Sequence, residues 1–205
     1  MKLIDSKCII WDFDGVILDS NKIRNNGFEI VLKDYKKKDV NKLMHFHEEN
    51  GGLSRYVKFR YFFEEVLQQK ITDEEIQIWA NKFSEIMIKN LVDKNLLIID
   101  SLNFIKENYS NIDMYIASGS DQEELRFLCE QLGIKKYFKE IYGSPISKIE
   151  NVKTLLKDSN FNKENCVLIG DSINDYEAAK ENNIEFRGYN NINLKDKGTY
   201  IYSFK

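Results

Sequence analysis

The sequence predicts an α/β fold in which a parallel-sheet core is interrupted by an inserted all-helical segment. Three short apolar runs each stop abruptly at a polar cluster, and segments with helical patterning lie between the later runs. In the long stretch between the first and second runs, the apolar residues have helical spacing only. Strands that alternate with helices favour parallel pairing, because each helix carries the chain back to the edge where the next strand begins.

The three apolar runs are the expected buried strands. A short, continuous apolar run bounded by a turn is typical of a parallel strand that is covered on both faces. We expect these strands at residues 8–11, 112–117 and 166–169. The polar clusters that close them are residues 12–15, 118–120 and 170–172.

Helices are expected at residues 101–109, 121–132 and 150–157. Ser120 and Glu123 have the spacing of a capping box, which predicts that Ser120 opens the second of these helices. Near the C-terminus, Tyr200, Tyr202 and Phe204 alternate in the manner of an edge strand.

The stretch from residue 21 to residue 95 has apolar residues at helical spacing and no convincing strand. Thr72 and Glu75 form a second capping box, which indicates the start of a helix. The sequence therefore predicts two domains. Residues 1–20 and 96–205 are expected to form the α/β core, and residues 21–95 an inserted helical domain.

Composition excludes several classes of protein. Of the 205 residues, 42% are apolar and 31% are charged, which favours a sizeable core over disorder. The net charge of −3 excludes a strongly basic nucleic-acid-binding surface. No apolar stretch is long enough to span a membrane. Three scattered cysteines and a charged N-terminal run predict a cytoplasmic protein with reduced thiols.

The polar clusters are expected to meet at one edge of the sheet, because ligands of open α/β sheets bind outside the carboxyl ends of the strands. The side chains placed there are Asp12, Asp14, Ser118, Asp171 and Asp175. Carboxylates crowded together cannot all remain ionised without a counter-ion. A hard divalent cation held by oxygen ligands resolves this repulsion, and Mg²⁺ is the usual choice where phosphate is handled.

This arrangement suggests phosphoryl transfer through a covalent intermediate. A carboxylate beside a phosphoryl group can act as a nucleophile and form an aspartyl-phosphate. Asp14 follows Asp12 by two residues, so it projects to the same side of an extended chain and can protonate the leaving oxygen. Each cluster alone has an ordinary interpretation, as a turn, a helix start or an N-cap. All three in order, each at the end of an apolar run, favour the functional interpretation.

A family resemblance is carried by residues 12–16, Ser118, Lys148 and residues 170–175. On these motifs the chain resembles the haloacid dehalogenase superfamily of hydrolases, in the branch of β-phosphoglucomutase and phosphoglycolate phosphatase. The resemblance implies a Rossmann-like, three-layer parallel-sheet core with an inserted all-helical (C1-type) cap domain. It also implies an enzyme that depends on Mg²⁺.

The resemblance implies a role for each acidic residue. Asp12 would be the phosphoryl-accepting nucleophile and Asp14 the general acid and base. Asp12, the backbone carbonyl of Asp14, and Asp171 would hold Mg²⁺. Asp175 would either ligate the metal or orient the groups around it.

The resemblance also implies which groups bind the phosphoryl oxygens. Ser118 would donate to one oxygen, helped by Gly119 and the backbone N–H groups that open the next helix. Lys148 would neutralise the nucleophile and the phosphoryl charge. Many relatives have a proline after this lysine, whereas Ile149 follows it here. Lys153 is the alternative, although it lies inside a predicted helix.

The inserted segment is expected to select the substrate. Ser54 follows a Gly-Gly turn and is expected to cap a helix on which Arg55 and Lys58 lie one turn apart. The resemblance implies that Arg55 grips the distal group of the substrate; the alternative is a solvated, charged helix face. His45 and His47 would not share a helix face, so we expect surface or cap–core lining roles and no metal site.

The sequence therefore predicts a Mg²⁺-dependent phosphatase that hydrolyses a small phosphorylated metabolite, such as a sugar phosphate, through an aspartyl-phosphate. A phosphomutase of the β-phosphoglucomutase type is the first alternative, because it would use the same core residues. A non-catalytic binding module is the second, although no core group is missing. Dehalogenation is disfavoured, because the dehalogenase branch of the superfamily lacks the second carboxylate that Asp14 provides here. We expect no nucleic-acid or membrane partner, and the sequence leaves the oligomeric state open.

Overall fold

One parallel sheet forms the centre of the protein in the computed structural model, which describes residues 2–159 and 161–204. Its strands are β1 (Cys8–Trp11), β2 (Asp113–Asp121), β3 (Ile141–Ser144), β4 (Cys166–Gly170), β5 (Glu185–Tyr189) and β6 (Thr199–Ile201). They lie in the order β3-β2-β1-β4-β5-β6, and each neighbouring pair runs parallel. The predicted fold class is therefore confirmed.

Helices fill the chain between β1 and the second half of the fold. They are α1 (Asn21–Val31), α2 (Lys37–Glu49), α3 (Arg55–Tyr61), a π-helix (Phe62–Val66) and α4 (Asp73–Leu91). Ser54 caps α3, and Thr72 caps α4 in the predicted capping box. Buried aromatic rings pack between these helices. The ring centroid of Phe28 lies 4.4 Å from that of Phe83 and 5.5 Å from that of Phe59.

Four further helices cover the two faces of the sheet. They are α5 (Ile99–Asn108), α6 (Gln122–Gln131), α7 (Lys148–Ser159) and α8 (Ile173–Glu181). Ile9 and Trp11 belong to the core on the side of α5 and α6, whereas Cys8 and Ile10 belong to the core on the side of α7 and α8. Because successive side chains of β1 point to opposite faces, this strand is buried on both sides, as a three-layer core requires.

The structure differs from the sequence prediction where β2 ends. Residues 118–120 continue the strand and do not form a turn after it. Asp121 is the N-cap of α6, because its carboxylate accepts hydrogen bonds from the backbone N–H groups of Glu123 and Glu124. The predicted capping box of Ser120 and Glu123 is therefore wrong. The hydroxyl of Ser120 is instead bonded to Asp14.

Two strands had no sequence prediction, and one weak pattern is confirmed. β3 and β5 are short and carry glycine or charged residues, so neither gives a continuous apolar run. The C-terminal edge strand is confirmed in part: β6 contains Tyr200 and lies at the sheet edge, but it ends at Ile201, so Tyr202 and Phe204 lie beyond it. The helix expected from residue 150 begins at Lys148.

The described residues include no helix that is long and apolar enough to cross a membrane. Cys8, Cys129 and Cys166 are buried and are not joined in a disulfide.

Candidate active site

The carboxyl ends of β1, β2 and β4 border a cleft of about 480 Å³. Asp12 follows β1, Ser118 and Gly119 lie in β2, and Asp171 follows β4. Residues of α1, α2 and α3 form the opposite wall. The topology therefore brings the predicted strand-end groups together on the floor of one cleft, under the inserted helices.

An acidic cluster lies on this floor. Oxygens of Asp12, Asp171 and Asp175 lie within 4.8 Å of one another. Burial and the neighbouring charge of Asp175 raise the pKa of Asp12 well above its usual range, although Lys148 opposes the shift. Burial and Asp175 also raise the pKa of Asp171 to about 7. These carboxylates repel one another, and a divalent cation among them would relieve the repulsion.

Lys148 is the cation that the structure places in this cluster. Its Nζ lies 2.9 Å from Oδ1 of Asp12 and also donates to Oδ1 of Asp175. Burial alone would lower the pKa of Lys148, but the two carboxylates raise it overall, so the side chain remains protonated. Lys153, the alternative from sequence, is exposed and pairs with Glu150 at 3.3 Å. The structure therefore favours Lys148.

Asp175 is fully buried at the first turn of α8. Its Oδ2 accepts hydrogen bonds from the backbone N–H of Ser172 at 2.9 Å and from the Ser172 hydroxyl at 2.6 Å. Its Oδ1 accepts from Lys148. Asp175 therefore connects Lys148 to the first turn of α8, and its oxygens also lie close to those of Asp12 and Asp171.

The carboxylate of Asp14 lies outside the acidic cluster and has its own donors. Ser20 and Nε of Arg24 donate to Oδ1, the latter at 2.5 Å, and Ser120 donates to Oδ2 at 2.6 Å. Burial alone would raise the pKa of Asp14, but the charge of Arg24 and the two hydroxyls lower it overall. The ionised form of Asp14 is therefore favoured, and the carboxylate has a fixed orientation.

A buried ionic network continues from Asp14 across the cleft. Nη1 of Arg24 in α1 lies 2.9 Å from Glu124 in α6, and Nη1 of Arg55 in α3 lies 2.6 Å from the other oxygen of Glu124. Burial would raise the pKa of Glu124, but the two arginines lower it. No motif pointed to this network, because Arg24 and Glu124 are 100 positions apart in the chain.

Arg55 and Lys58, the residues expected to contact substrate, both line the cleft. Their exposed fractions are 4% and 3%, so the alternative of a solvated helix face is wrong. Arg55 is already engaged by Glu124 and by the Ser84 hydroxyl at 2.6 Å, and it lies over the ring of Phe83. Lys58 donates to the carbonyl of Gly51 at 2.9 Å.

The turn at Gly51 and Gly52 brings the inserted segment into contact with residues at the carboxyl edge of the sheet. The backbone N–H of Gly52 donates to Asn174 at 3.2 Å. A Cβ on Gly52 would lie 2.7 Å from the Ser172 hydroxyl, and a Cβ on Gly119 would overlap the carbonyl oxygen of Gly52. Glycine at both positions therefore permits direct contact between the backbones of the two walls.

The two histidines have separate surroundings, as predicted. His45 is exposed, 3.5 Å from Glu49. His47 is buried and lines the cleft, and its Nε2 lies 2.7 Å from Oδ1 of Asn25. Burial and the charges of Lys58 and Arg24 lower the pKa of His47 to about 3, so its ring is neutral.

Comparison with known families agrees with this fold. The family model described as haloacid dehalogenase-like hydrolase matches residues 9–188, so the chain belongs to this family. The resemblance seen in the motifs is thereby confirmed.

Individual relatives are distant. A phosphorylated carbohydrates phosphatase of Thermotoga maritima is 24% identical over 187 residues, which cover 87% of this chain and 82% of that protein. A probable cation-transporting ATPase of Haemophilus influenzae is 36% identical over 88 residues, 42% of this chain, and the chain spans only 11% of that protein's length. A β-phosphoglucomutase structure from Clostridium difficile has a TM-score of 0.78 at 20% identity, covering 97% of this chain and 92% of that one. At 20% identity, the similarity to the β-phosphoglucomutase structure shows a common fold only.

Proposed function

We propose that this protein is a Mg²⁺-dependent phosphatase that hydrolyses a small phosphorylated metabolite through an aspartyl-phosphate. The observation that carries the proposal is the position of Asp12, which ends β1 beside Lys148 and Asp171 on the floor of the cleft. The Thermotoga relative, named for phosphorylated carbohydrates, supports a sugar phosphate or a similar phosphomonoester as substrate.

In the proposed reaction, a carboxylate oxygen of Asp12 attacks the phosphorus, and the bond to the leaving oxygen breaks. Asp14 gives a proton to that leaving oxygen. Because the contacts with Arg24 and Ser120 favour the ionised form of Asp14, it must first take up this proton as the substrate enters and those contacts rearrange. Water then attacks the phosphorus of the aspartyl-phosphate, Asp14 accepts a proton from it, and inorganic phosphate leaves with Asp12 restored. The position of Asp14 supports this assignment, because it lines the same cleft as Asp12.

Lys148, Ser118 and Gly119 are the proposed ligands of the phosphoryl oxygens. Ser118 is buried, and its Oγ accepts a hydrogen bond from the N–H of Ser120 at 3.1 Å. That contact uses a lone pair and leaves the hydroxyl proton for a phosphoryl oxygen. Lys148 would balance the negative charge that Asp12 and the phosphoryl group bring together.

Mg²⁺ fits the donor set on the floor of the cleft. The proposed ligands are carboxylate oxygens of Asp12 and Asp171 and the backbone carbonyl of Asp14, all hard oxygen donors. When bound, the ion would screen the charge between the nucleophile and the phosphoryl group. Asn21 donates to Oδ2 of Asp171 at 3.0 Å and would hold that carboxylate in place.

We also propose that residues 21–95 act as a cap over a core formed by residues 1–20 and 96–205. Arg55 and Lys58 of this cap are proposed substrate-binding residues, and both line the cleft. Tyr56 of the cap donates to Asp121 of the core at 2.6 Å, which joins the two parts beside the cleft-lining helix α3.

Hydrolysis of p-nitrophenyl phosphate and of a panel of phosphorylated metabolites tests the proposal. We expect release of inorganic phosphate with Mg²⁺, and a loss of about 100-fold or more in excess EDTA that added Mg²⁺ reverses. Full activity in excess EDTA would contradict the metal assignment. Absence of phosphate release from every compound would contradict the phosphatase itself.

A further inference from the structure

The loop that follows β5 contacts both of the loops that carry the proposed Mg²⁺ ligands. Asn190 is the first residue after β5, and its Nδ2 donates to the backbone carbonyl of Gly15 at 2.9 Å. Nδ2 of the next residue, Asn191, donates to the backbone carbonyl of Asp171 at 2.7 Å. These two residues, the asparagine pair, therefore join the end of β5 to the loop after β1 and to the loop after β4.

The order of the strands shows how far Asn190 reaches. β4 lies between β1 and β5 in the sheet, so the hydrogen bond from Asn190 to Gly15 spans the strand between them. Asp171 directly follows that intervening strand, and it is the residue that Asn191 holds. The asparagine pair therefore links the carboxyl ends of three neighbouring strands through main-chain carbonyls.

Both positions suit asparagine for reasons that can be stated separately. Asn190 has a φ of 57°, in the left-handed region that asparagine tolerates better than most residues, and it is exposed, so core packing does not account for it. Asn191 uses both ends of its amide: Nδ2 donates to Asp171, and Oδ1 accepts from the backbone N–H of Asn193 at 3.2 Å. The second contact fixes the orientation of the Asn191 side chain.

The two loops held by the asparagine pair are in direct contact. A Cβ on Gly15 would overlap Oδ2 of Asp171, the same oxygen to which Asn21 donates at 3.0 Å. Gly15 directly follows Asp14, whose backbone carbonyl is a proposed Mg²⁺ ligand. The position of Gly15 relative to Asp171 therefore sets the distance between two of the proposed ligands. That distance matters, because Mg²⁺ requires oxygens in a nearly ideal octahedron at about 2.1 Å.

We propose that Asn190 and Asn191 are positioning residues for the metal site. They fix the loop of Asp14 and Gly15 relative to Asp171, so that the oxygens of the two loops match the small coordination sphere of Mg²⁺. This inference rests on the Mg²⁺ site of the proposed function and adds the loop after β5 to it. The asparagine pair acts through the residues that it holds and does not itself ligate the ion.

Calorimetric titration of the purified protein with Mg²⁺ and, separately, with Ca²⁺ tests the proposal without any assay of turnover. Asn191→Leu keeps the size of the side chain and removes the donor. Asn190→Gly removes the donor and keeps the backbone conformation accessible. In each variant we expect the Kd of Mg²⁺ to rise about 10-fold, as is typical when a partner of a metal ligand is removed. The Kd of Ca²⁺ should rise by less than about 3-fold, because Ca²⁺ accepts a more flexible geometry.

Asn108→Leu is the matched control for a general loss of stability. Asn108 is buried, and its Nδ2 also donates to a backbone carbonyl, that of Phe104 at 2.8 Å. It lies at the end of α5, which leads to the start of β2 at the opposite edge of the sheet. Thermal melting should show that this variant is destabilised, while its affinities for Mg²⁺ and Ca²⁺ should equal those of the wild type.

The proposal is overturned if either Asn190→Gly or Asn191→Leu binds Mg²⁺ as tightly as the wild type, or if both ions lose affinity equally. An equal loss would mean that the asparagine pair only supports the fold. Failure of the wild type to bind Mg²⁺ would overturn the proposal together with the metal assignment. If Mg²⁺ binds as expected and no phosphate is released from any compound, the phosphatase proposal fails and the positioning role stands.

Discussion

The two ends of the cleft have opposite electrostatic character. At the sheet edge, Asp12, Asp171 and Asp175 surround one cation, Lys148. Under the inserted helices, Arg24 and Arg55 share the carboxylate of Glu124. The first end therefore has several carboxylates around one cation, whereas the second has two arginines paired with one carboxylate.

The two ends also differ in how they are built. On the floor, Asp12 and Asp171 directly follow strands of one sheet, and their proximity is a consequence of parallel topology. The opposite end takes Arg24 from α1, Arg55 from α3 and Glu124 from α6. We therefore expect substitutions on the floor to abolish chemistry, and substitutions in the ionic network to affect stability first.

Asp12→Asn should have the largest effect on activity. An amide cannot act as the anionic nucleophile, so we expect kcat to fall by about 10³-fold or more while the fold is retained. Asp113→Asn is the control, because Asp113 is a partly exposed aspartate at the opposite end of β2. Steady-state assays and thermal melting of both variants check the prediction. Near-normal kcat in Asp12→Asn would rule out the aspartyl-phosphate.

Glu124→Gln should have the next largest effect, on stability. The substitution leaves Arg24 and Arg55 buried without their shared carboxylate, which should lower the free energy of unfolding by about 3 kcal/mol. Glu123→Gln is the matched control, since that neighbouring side chain is 86% exposed. Urea denaturation of both variants measures the difference. Equal stabilities would mean that the network contributes nothing beyond a surface ion pair.

Lys148→Met should lower activity less than Asp12→Asn does, and it should also lower stability, because Asp12 and Asp175 lose the buried cation between them. Loss of the charge beside Asp12 removes one stabilising contact to the phosphoryl group, worth about 100-fold in kcat/KM. Lys153→Met, in the same helix but on its exposed face, should leave kcat/KM unchanged. If Lys148→Met and Lys153→Met were equally active, Lys148 would not be the residue that balances the charge of the phosphoryl group.

The floor of the cleft could be predicted from the sequence because its signals are local. Asp12 and Asp171 each follow an apolar run, and the burial of those runs as parallel strands brings the two carboxylates together. Lys148 has no such run before it, and only the family resemblance indicated its place. The roles of these residues remain predictions, although their positions agree with them.

The ionic network could not be predicted, because its geometry depends on how α1 and α3 pack against α6. The family resemblance implied a substrate-binding role for Arg55 but carried no information about Glu124, which pairs with that guanidinium. The wrong prediction of Ser120 as the N-cap of α6 has a similar origin. Ser120 and Asp121 both suit an N-cap, and the contact of Ser120 with Asp14 decides between them.

The contact between Gly52 and Gly119 has a mechanical consequence. It joins main chain to main chain, with no side chain and no ionisable group between the two walls. It therefore acts as a fixed stop that sets how closely the walls approach, whatever the acidity or salt concentration of the surroundings. Backbone geometry sets the separation of the walls there, and a methyl group added at Gly119 would overlap the carbonyl oxygen of Gly52 and hold the walls apart.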